Sequence, residues 1–351
     1  MNKKEIRVKF LGTFFEHNND WENHTLYPIL KKNYNLVICD DPDYVIATCL
    51  DKPFNYCNYD CIRILFTGEP FSPDFNVFDY AISSDNIIYD DRFYQFQQFN
   101  SMGWAIEANK KHLDIPDNFL EKKEYFCDFI YKNSNGQKER EEIFHKLNEY
   151  KRVESGGSWL NNMPNNKVIG WPDEKQVFQK KCKFTIAFDS IRHKDFITEK
   201  ISNSFMNKTI PIYLGAPNVD DIFNEKAFIN CMNYESLDHV LERVKYLDDN
   251  DEEYLKMLRE PAFKDPNYAI NKYNGLEEFI CNIFDQDLKT CKRRYDKFSS
   301  KYHNDLLRKI NWAIQKEENT FKKLLKTGHK RLLRKILGEK YDILKNKLGK
   351  I

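Results

Sequence analysis

The stretch DFITEKISNSFMNKTIPIYLGAPNVDDIFNEKAFIN, Asp195 to Asn230, decides how this chain folds. Helical spacing runs from Ile197 to Thr209, IPIYLGA is a dense apolar strand ending at a glycine, and AFIN is a shorter strand. Just upstream, KFTIAFD (Lys183 to Asp189) is another apolar run, followed by a polar loop from Ser190 to Phe196. Strand, loop, helix, strand is the unit of a buried parallel sheet. It places Glu199 and Lys200 in the first turn of a helix at a strand's carboxyl end. Ligands of open α/β sheets bind there, where helix N-termini offer unpaired N–H groups and a positive dipole end.

Working outward, EYFCDFIYKN, a helical KEREEIFHKLNEY, a turn at ESGGS and the helix SLDHVLERVKYL complete one α/β unit. A second unit precedes it in IRVKFLG, YNLVICD, YVIATCL, IRILFTG and VFDYAIS, from Ile6 to Ser83. The regularity fades between Asp90 and Lys123, which marks the crossing between lobes. At 351 residues, two domains are expected. They are an N-terminal Rossmann-like domain over 1–110 and a second over 111–285, then a helical segment over 286–320 packing back on the body and a basic amphipathic tail over 321–351.

Composition narrows the function classes. Nine cysteines form no CxxC pair and no zinc-type cluster with the eight histidines, so they are expected as core thiols of a reducing compartment. No stretch has the length and apolarity of a membrane span, and MNKKEIRVKF carries no signal-peptide apolar block. The formal charge of +1 conceals a tail with eleven Lys or Arg against two acids from Phe321 to Ile351. Leucines and isoleucines near helical spacing among those cations describe a helix that lies on an anionic membrane surface, or one solvated and packed on the body.

Five places could carry chemistry. Glu199 and Lys200 form either an ordinary solvated first turn or an anion site with a hydrogen-bond acceptor for sugar hydroxyls. Glu69 follows the strand IRILF, near Phe66, Phe71 and Phe75; it is a general base made more basic by desolvation, or a turn glutamate that is paired with Arg63 or simply solvated. Arg140 opens KEREEIFHKL and offers a fork of donors to a diphosphate, or belongs to a surface charge pattern. Gly156-Gly157 lets backbone approach a pyrophosphate or is only a turn, and His193 is a ligand or base or a solvated loop residue, the second reading being preferred for both.

Taken in order, FTGE…FDYAI, KEREEIFHKL, FITEKISNSFMNKTIPIYLGAP and FNEKAFIN resemble the α-1,3-fucosyltransferases, glycosyltransferase family ten, most closely the bacterial Helicobacter-type enzymes. The resemblance covers roughly Ile6 to Pro261. It implies a GT-B fold, two Rossmann-like domains facing across a cleft, the second binding GDP-fucose and the first an oligosaccharide or lipid-linked glycan acceptor. The implied reaction is inverting transfer of L-fucose from GDP-β-L-fucose, α-1,3 to N-acetylglucosamine or glucose of a lipopolysaccharide or Lewis-type oligosaccharide. Glu69 would be the base, and Glu199 would contact sugar or ribose and steady the charge on the ring. Arg140 and Lys200 would bind the diphosphate, with Ser190, Phe196, Ile197 and Thr198 completing the donor site.

No metal is needed in this scheme to hold the leaving group, and stimulation by Mn2+ or Mg2+ is left open. The family usually has Phe-Glu-Asn where this chain has Phe188-Asp189-Ser190, and Tyr where it has Phe196; Gly215-Ala216-Pro217 follows the family turn. The basic tail resembles that of the bacterial enzymes and implies a cytoplasmic protein peripherally associated with the inner face of the cytoplasmic membrane. The alternatives are a GT-B enzyme using another nucleotide sugar and a non-catalytic membrane-associated binding protein; nucleic acid is not an expected partner.

Overall fold

The computed structural model describes residues 3–12, 20–49, 54–170, 172–294 and 298–326. Five long apolar runs of the first lobe form strands β1 (Glu5–Leu11), β2 (Asn35–Ile38), β3 (Tyr44–Ala47), β4 (Ile62–Phe66) and β5 (Tyr80–Ser83). A sixth, β6 (Phe93–Gln95), lies where the sequence pattern had faded. The sheet is parallel throughout, in the order β2-β1-β3-β4-β5-β6. Every residue of β3 and β5 is buried, as a sheet covered on both faces requires.

The second sheet has β7 (Tyr125–Phe129), β8 (Val153–Ser155), β9 (Cys182–Phe188), β10 (Ile210–Leu214) and β11 (Ile229–Asn230), in the order β11-β10-β9-β7-β8 and again parallel. Strand β8 falls where the sequence had suggested only a turn. It is the polar outer strand, and Glu154 on it takes the guanidinium of Arg152 at 2.7 Å.

Packing divides the chain differently from the ranges 1–110 and 111–285 at two places. Phe99, Ala105 and Ala108, just after the first sheet, pack with Ile197, Ile201 and Phe205 of the second lobe. The helix Tyr268–Phe284 returns the other way and buries Leu276, Ile280, Ile283 and Phe284 against Ile6, Val8, Tyr44 and Ile64 of the first sheet. Rings decide this docking, with Phe284 4.3 Å from Tyr44.

The C-terminal segment is then locked onto the first lobe. Fully buried Asp79 accepts from the backbone N–H groups of Arg63, Arg293 and Arg294 and pairs with the Arg294 guanidinium at 2.9 Å. The helix Phe298–Lys326 lays Leu307 and Asn304 on that lobe, Asn304 reaching the carbonyl of Asn76. The tail beyond Lys326 lies outside the described residues, as do residues 13–19 and 50–53. Among the described residues no helix is long and apolar enough to cross a membrane.

Candidate active site

The second lobe's strands β9 and β10 end side by side, and the residue after β9 organises what lies above them. Asp189 is fully buried; its two oxygens accept from the hydroxyls of Thr198 and of Tyr213, the latter at 2.8 Å. The Tyr213 hydroxyl in turn accepts from the N–H of Ala216 at 2.9 Å. Burial pushes the Asp189 carboxyl above its ordinary range, opposed by the nearby charge of Lys200 and by the two hydroxyls. Space for this arrangement comes from Gly215. A Cβ there would sit 2.2 Å from the Tyr213 hydroxyl and 2.5 Å from Asp189 Oδ2.

Thr198 is the N-cap of the helix Glu199–Met206, in extended backbone conformation, and its oxygen accepts from the Lys200 N–H. Because its own proton goes to Asp189, the same oxygen also faces the Lys200 ammonium at 3.1 Å. A chain from Asp189 through Thr198 thus aims the lysine. Glu199 lies 3.9 Å from that ammonium, both side chains being partly accessible. Burial works to raise the Glu199 carboxyl, but Lys200 and Lys175 together carry it below its ordinary value, so it is a carboxylate at neutral pH.

Arg140 comes up from beneath. It is buried, stacks on Tyr131 at 4.2 Å, and donates to the carbonyls of Asn135 at 2.8 Å and Asp189 at 3.2 Å. Its Nε is buried and has no hydrogen-bond partner among the described residues. Gly136, at φ +128, allows this close approach. Gln137, which the sequence reading passed over, bonds the Asp189 carbonyl and accepts from Arg192 at 2.6 Å, tying the loop after β9 to the helix Glu139–Tyr150.

Phe196 and Ile197 are buried, so what these two present to a ligand is backbone. Ser190 is half-buried, and its carbonyl lies against Gly136. His193 is an exposed loop residue bonded to the Lys194 carbonyl.

Glu69 stands at the carboxyl end of β4, its N–H held by the Thr67 hydroxyl at 3.1 Å. Two expectations about it are corrected. It is exposed, not enclosed by phenylalanines, because Phe75 stacks on Tyr89 at 4.5 Å and Phe66 packs into the first core. Nor is it paired with Arg63, which is fully buried and bonded to the carbonyls of Tyr59 and Val77.

What joins Glu69 to the second lobe is a short relay. The Gln98 side chain packs on Gly68, so close that a Cβ there would lie 3.0 Å from it. The next residue, Phe99, has its carbonyl 3.2 Å from the hydroxyl of Ser202, one turn along from Glu199. Both carboxylates therefore belong to one contiguous region spanning two lobes.

Residues 120–301 match the family model described as glycosyltransferase family 10 (fucosyltransferase) C-term, and residues 8–102 match the alpha-(1,3)-fucosyltransferase FucT N-terminal domain. The chain is 28% identical over 303 residues to alpha-(1,3)-fucosyltransferase FucT of Helicobacter pylori, covering 76% of this chain and 61% of that one. It is 26% identical over 153 residues to human 4-galactosyl-N-acetylglucosaminide 3-alpha-L-fucosyltransferase 9, covering 43% of this chain and 40% of that one. The chain thus spans less than two thirds of the length of these curated relatives. A crystal structure of alpha1,3-fucosyltransferase with GDP-fucose superposes with TM-score 0.61 at 23% identity, over 79% of this chain and 92% of that one. A common two-lobed GT-B fold follows from that superposition, and from the matched domains it follows that the chain belongs to glycosyltransferase family 10, the fucosyltransferases.

Proposed function

We propose that this chain moves L-fucose from GDP-β-L-fucose to a hydroxyl of an acceptor glycan with inversion at the anomeric carbon. The observation that carries the reading is the Asp189–Thr198–Lys200 chain, which fixes an ammonium beside Glu199 at a helix N-terminus. A departing nucleoside diphosphate needs positive charge where its own negative charge grows, and preorganised charge costs no reorganisation at that moment. Lys200 and the N–H groups of the helix Glu199–Met206 supply it, and Arg140 adds a buried positive charge below the end of β9. Glu199, held ionised, faces the sugar and offsets the charge developing on its ring. Glu69 takes the acceptor proton from the other lobe, and its exposure leaves room for an acceptor to cover it.

The finer reading is α-1,3 transfer to N-acetylglucosamine or glucose of a lipopolysaccharide or Lewis-type oligosaccharide. Support for the α-1,3 linkage and for N-acetylglucosamine comes from what the relatives are named for. The basic tail is proposed to hold the protein on the inner face of the cytoplasmic membrane, with its eleven cations on anionic lipid.

The test is incubation with GDP-fucose and a set of defined oligosaccharides, followed by measurement of GDP release and linkage analysis of the product. A fucosylated product bearing an α-linkage supports the proposal; GDP-fucose left intact with every acceptor, while another nucleotide sugar is consumed, refutes it.

A further inference from the structure

The short helix Asp173–Gln179, DEKQVFQ, is built inside out. Its buried residues are Lys175 and Gln179, while Val177 is 60% exposed. Residues four apart share one helix face, so Lys175 and Gln179 look the same way, into the protein. Gln179 shows where that is: it donates to Asp128 on β7 and accepts from Asn207 at the foot of the helix Glu199–Met206.

The chain enters β9 only three residues after Gln179, so the short helix runs down toward that foot. Lys175, one turn back, stands about 6 Å higher, and its side chain rises toward the N-terminal turn that carries Glu199 and Lys200. It is 7% exposed, and its ammonium has no hydrogen bond or ion pair among the described residues. The charges acting on it are those of Glu199 first, then Lys200 and Asp128.

An ammonium enclosed this far without a hydrogen bond is costly, and the charge of Glu199 offsets only part of that cost. An anion that arrives between Lys175, Lys200 and the helix N-terminus would remove that cost. We propose that Lys175 is a third cationic ligand of the donor site, taking the sugar-bearing phosphate of the bound nucleoside diphosphate from the side opposite Lys200. The sugar-bearing phosphate is the appropriate one because Lys175 stands on the side of the turn that carries Glu199, the group placed at the sugar. This inference rests on the reading of the site as a nucleotide-sugar site.

The test is calorimetric titration of the intact protein with GDP and with GMP, in wild type, Lys175→Met and Lys175→Arg, together with thermal melts lacking nucleotide. Lys175→Met is expected to weaken GDP roughly tenfold to a hundredfold while GMP changes little, and Lys175→Arg to recover most of the loss. The melts without nucleotide check that each variant is folded, since Lys175→Met removes a costly buried charge and its attraction to Glu199 together. Unchanged GDP affinity overturns the proposal, as does an equal loss for GMP. UDP and UMP run in parallel separate the two readings. A wild type that prefers UDP ends the GDP-fucose assignment, and the Lys175 comparison is then read from UDP against UMP. A wild type that binds neither diphosphate overturns the Lys175 proposal as well.

Discussion

The Ser202 hydroxyl lies 3.2 Å from the carbonyl of Phe99, a buried contact between the helix that carries Glu199 and the segment that leaves the first sheet. Through it, and through Gln98 against Gly68, the two lobes meet within a few residues of both carboxylates.

Because Glu69 and the donor groups sit on different lobes, their loss should be separable. Glu69→Gln is expected to lower turnover roughly a hundredfold to ten-thousandfold, the worth of a general base, with GDP affinity by calorimetry unchanged. Near-normal turnover removes Glu69 from the mechanism.

Lys200→Ala should act on the donor side. Losing a charge-assisted hydrogen bond of about 1.5–3 kcal/mol weakens GDP roughly tenfold to a hundredfold. Calorimetry of the variant with GDP checks it, and equal affinity would place Lys200 outside the diphosphate site.

Asp189 accepts from two buried hydroxyls, which one amide oxygen cannot replace. Asp189→Asn is expected to cost about 1–3 kcal/mol of unfolding free energy and to loosen the aim of Lys200. Gly215→Ala disturbs the same junction by crowding, with a similar cost of about 1–3 kcal/mol. Urea unfolding and turnover, measured on both, should fall together.

Asp128 gives a pH signature unrelated to catalysis. Burial pushes its carboxyl up to about 6, partly relieved by the Thr185 hydroxyl and the Gln179 amide. The folded chain therefore holds this proton more tightly than the unfolded one. Its contribution is full below the ordinary carboxylate range and is lost as pH rises toward 6, a span worth roughly 3 kcal/mol. Asp128→Asn should flatten the fall of unfolding free energy between pH 4 and 7 in denaturant titrations; an unchanged slope would assign the effect elsewhere.

Much of the fold was legible because its strands are long and apolar on both faces, as in IRVKFL, IRILF and KFTIAF. Strands β6 and β8, three residues each, carry too little pattern to register, and β8 is written Val-Glu-Ser. The helix Tyr268–Phe284 was not read from the sequence, and its apolar face alone does not say which sheet would receive it. At the site, the placement of Glu199 and Lys200 followed from strand, loop and helix order. Lys175 did not, because a lysine in DEKQVFQ reads as solvated and only the packing of Gln179 reverses the helix. Glu69 was correctly set at a strand end, yet its phenylalanine neighbours turn to other partners, which adjacency in sequence cannot reveal.

The return of the helix Tyr268–Phe284 to the first sheet also orders events during synthesis. The strands of the second lobe are complete by Asn230, whereas the first core lacks Leu276, Ile280, Ile283 and Phe284 until the ribosome has passed residue 284. The lobe that begins the chain is thus the last to close. A chain stopped short of residue 284 would leave the apolar face of β1, β3 and β4 uncovered, and would be a substrate for chaperones or for aggregation.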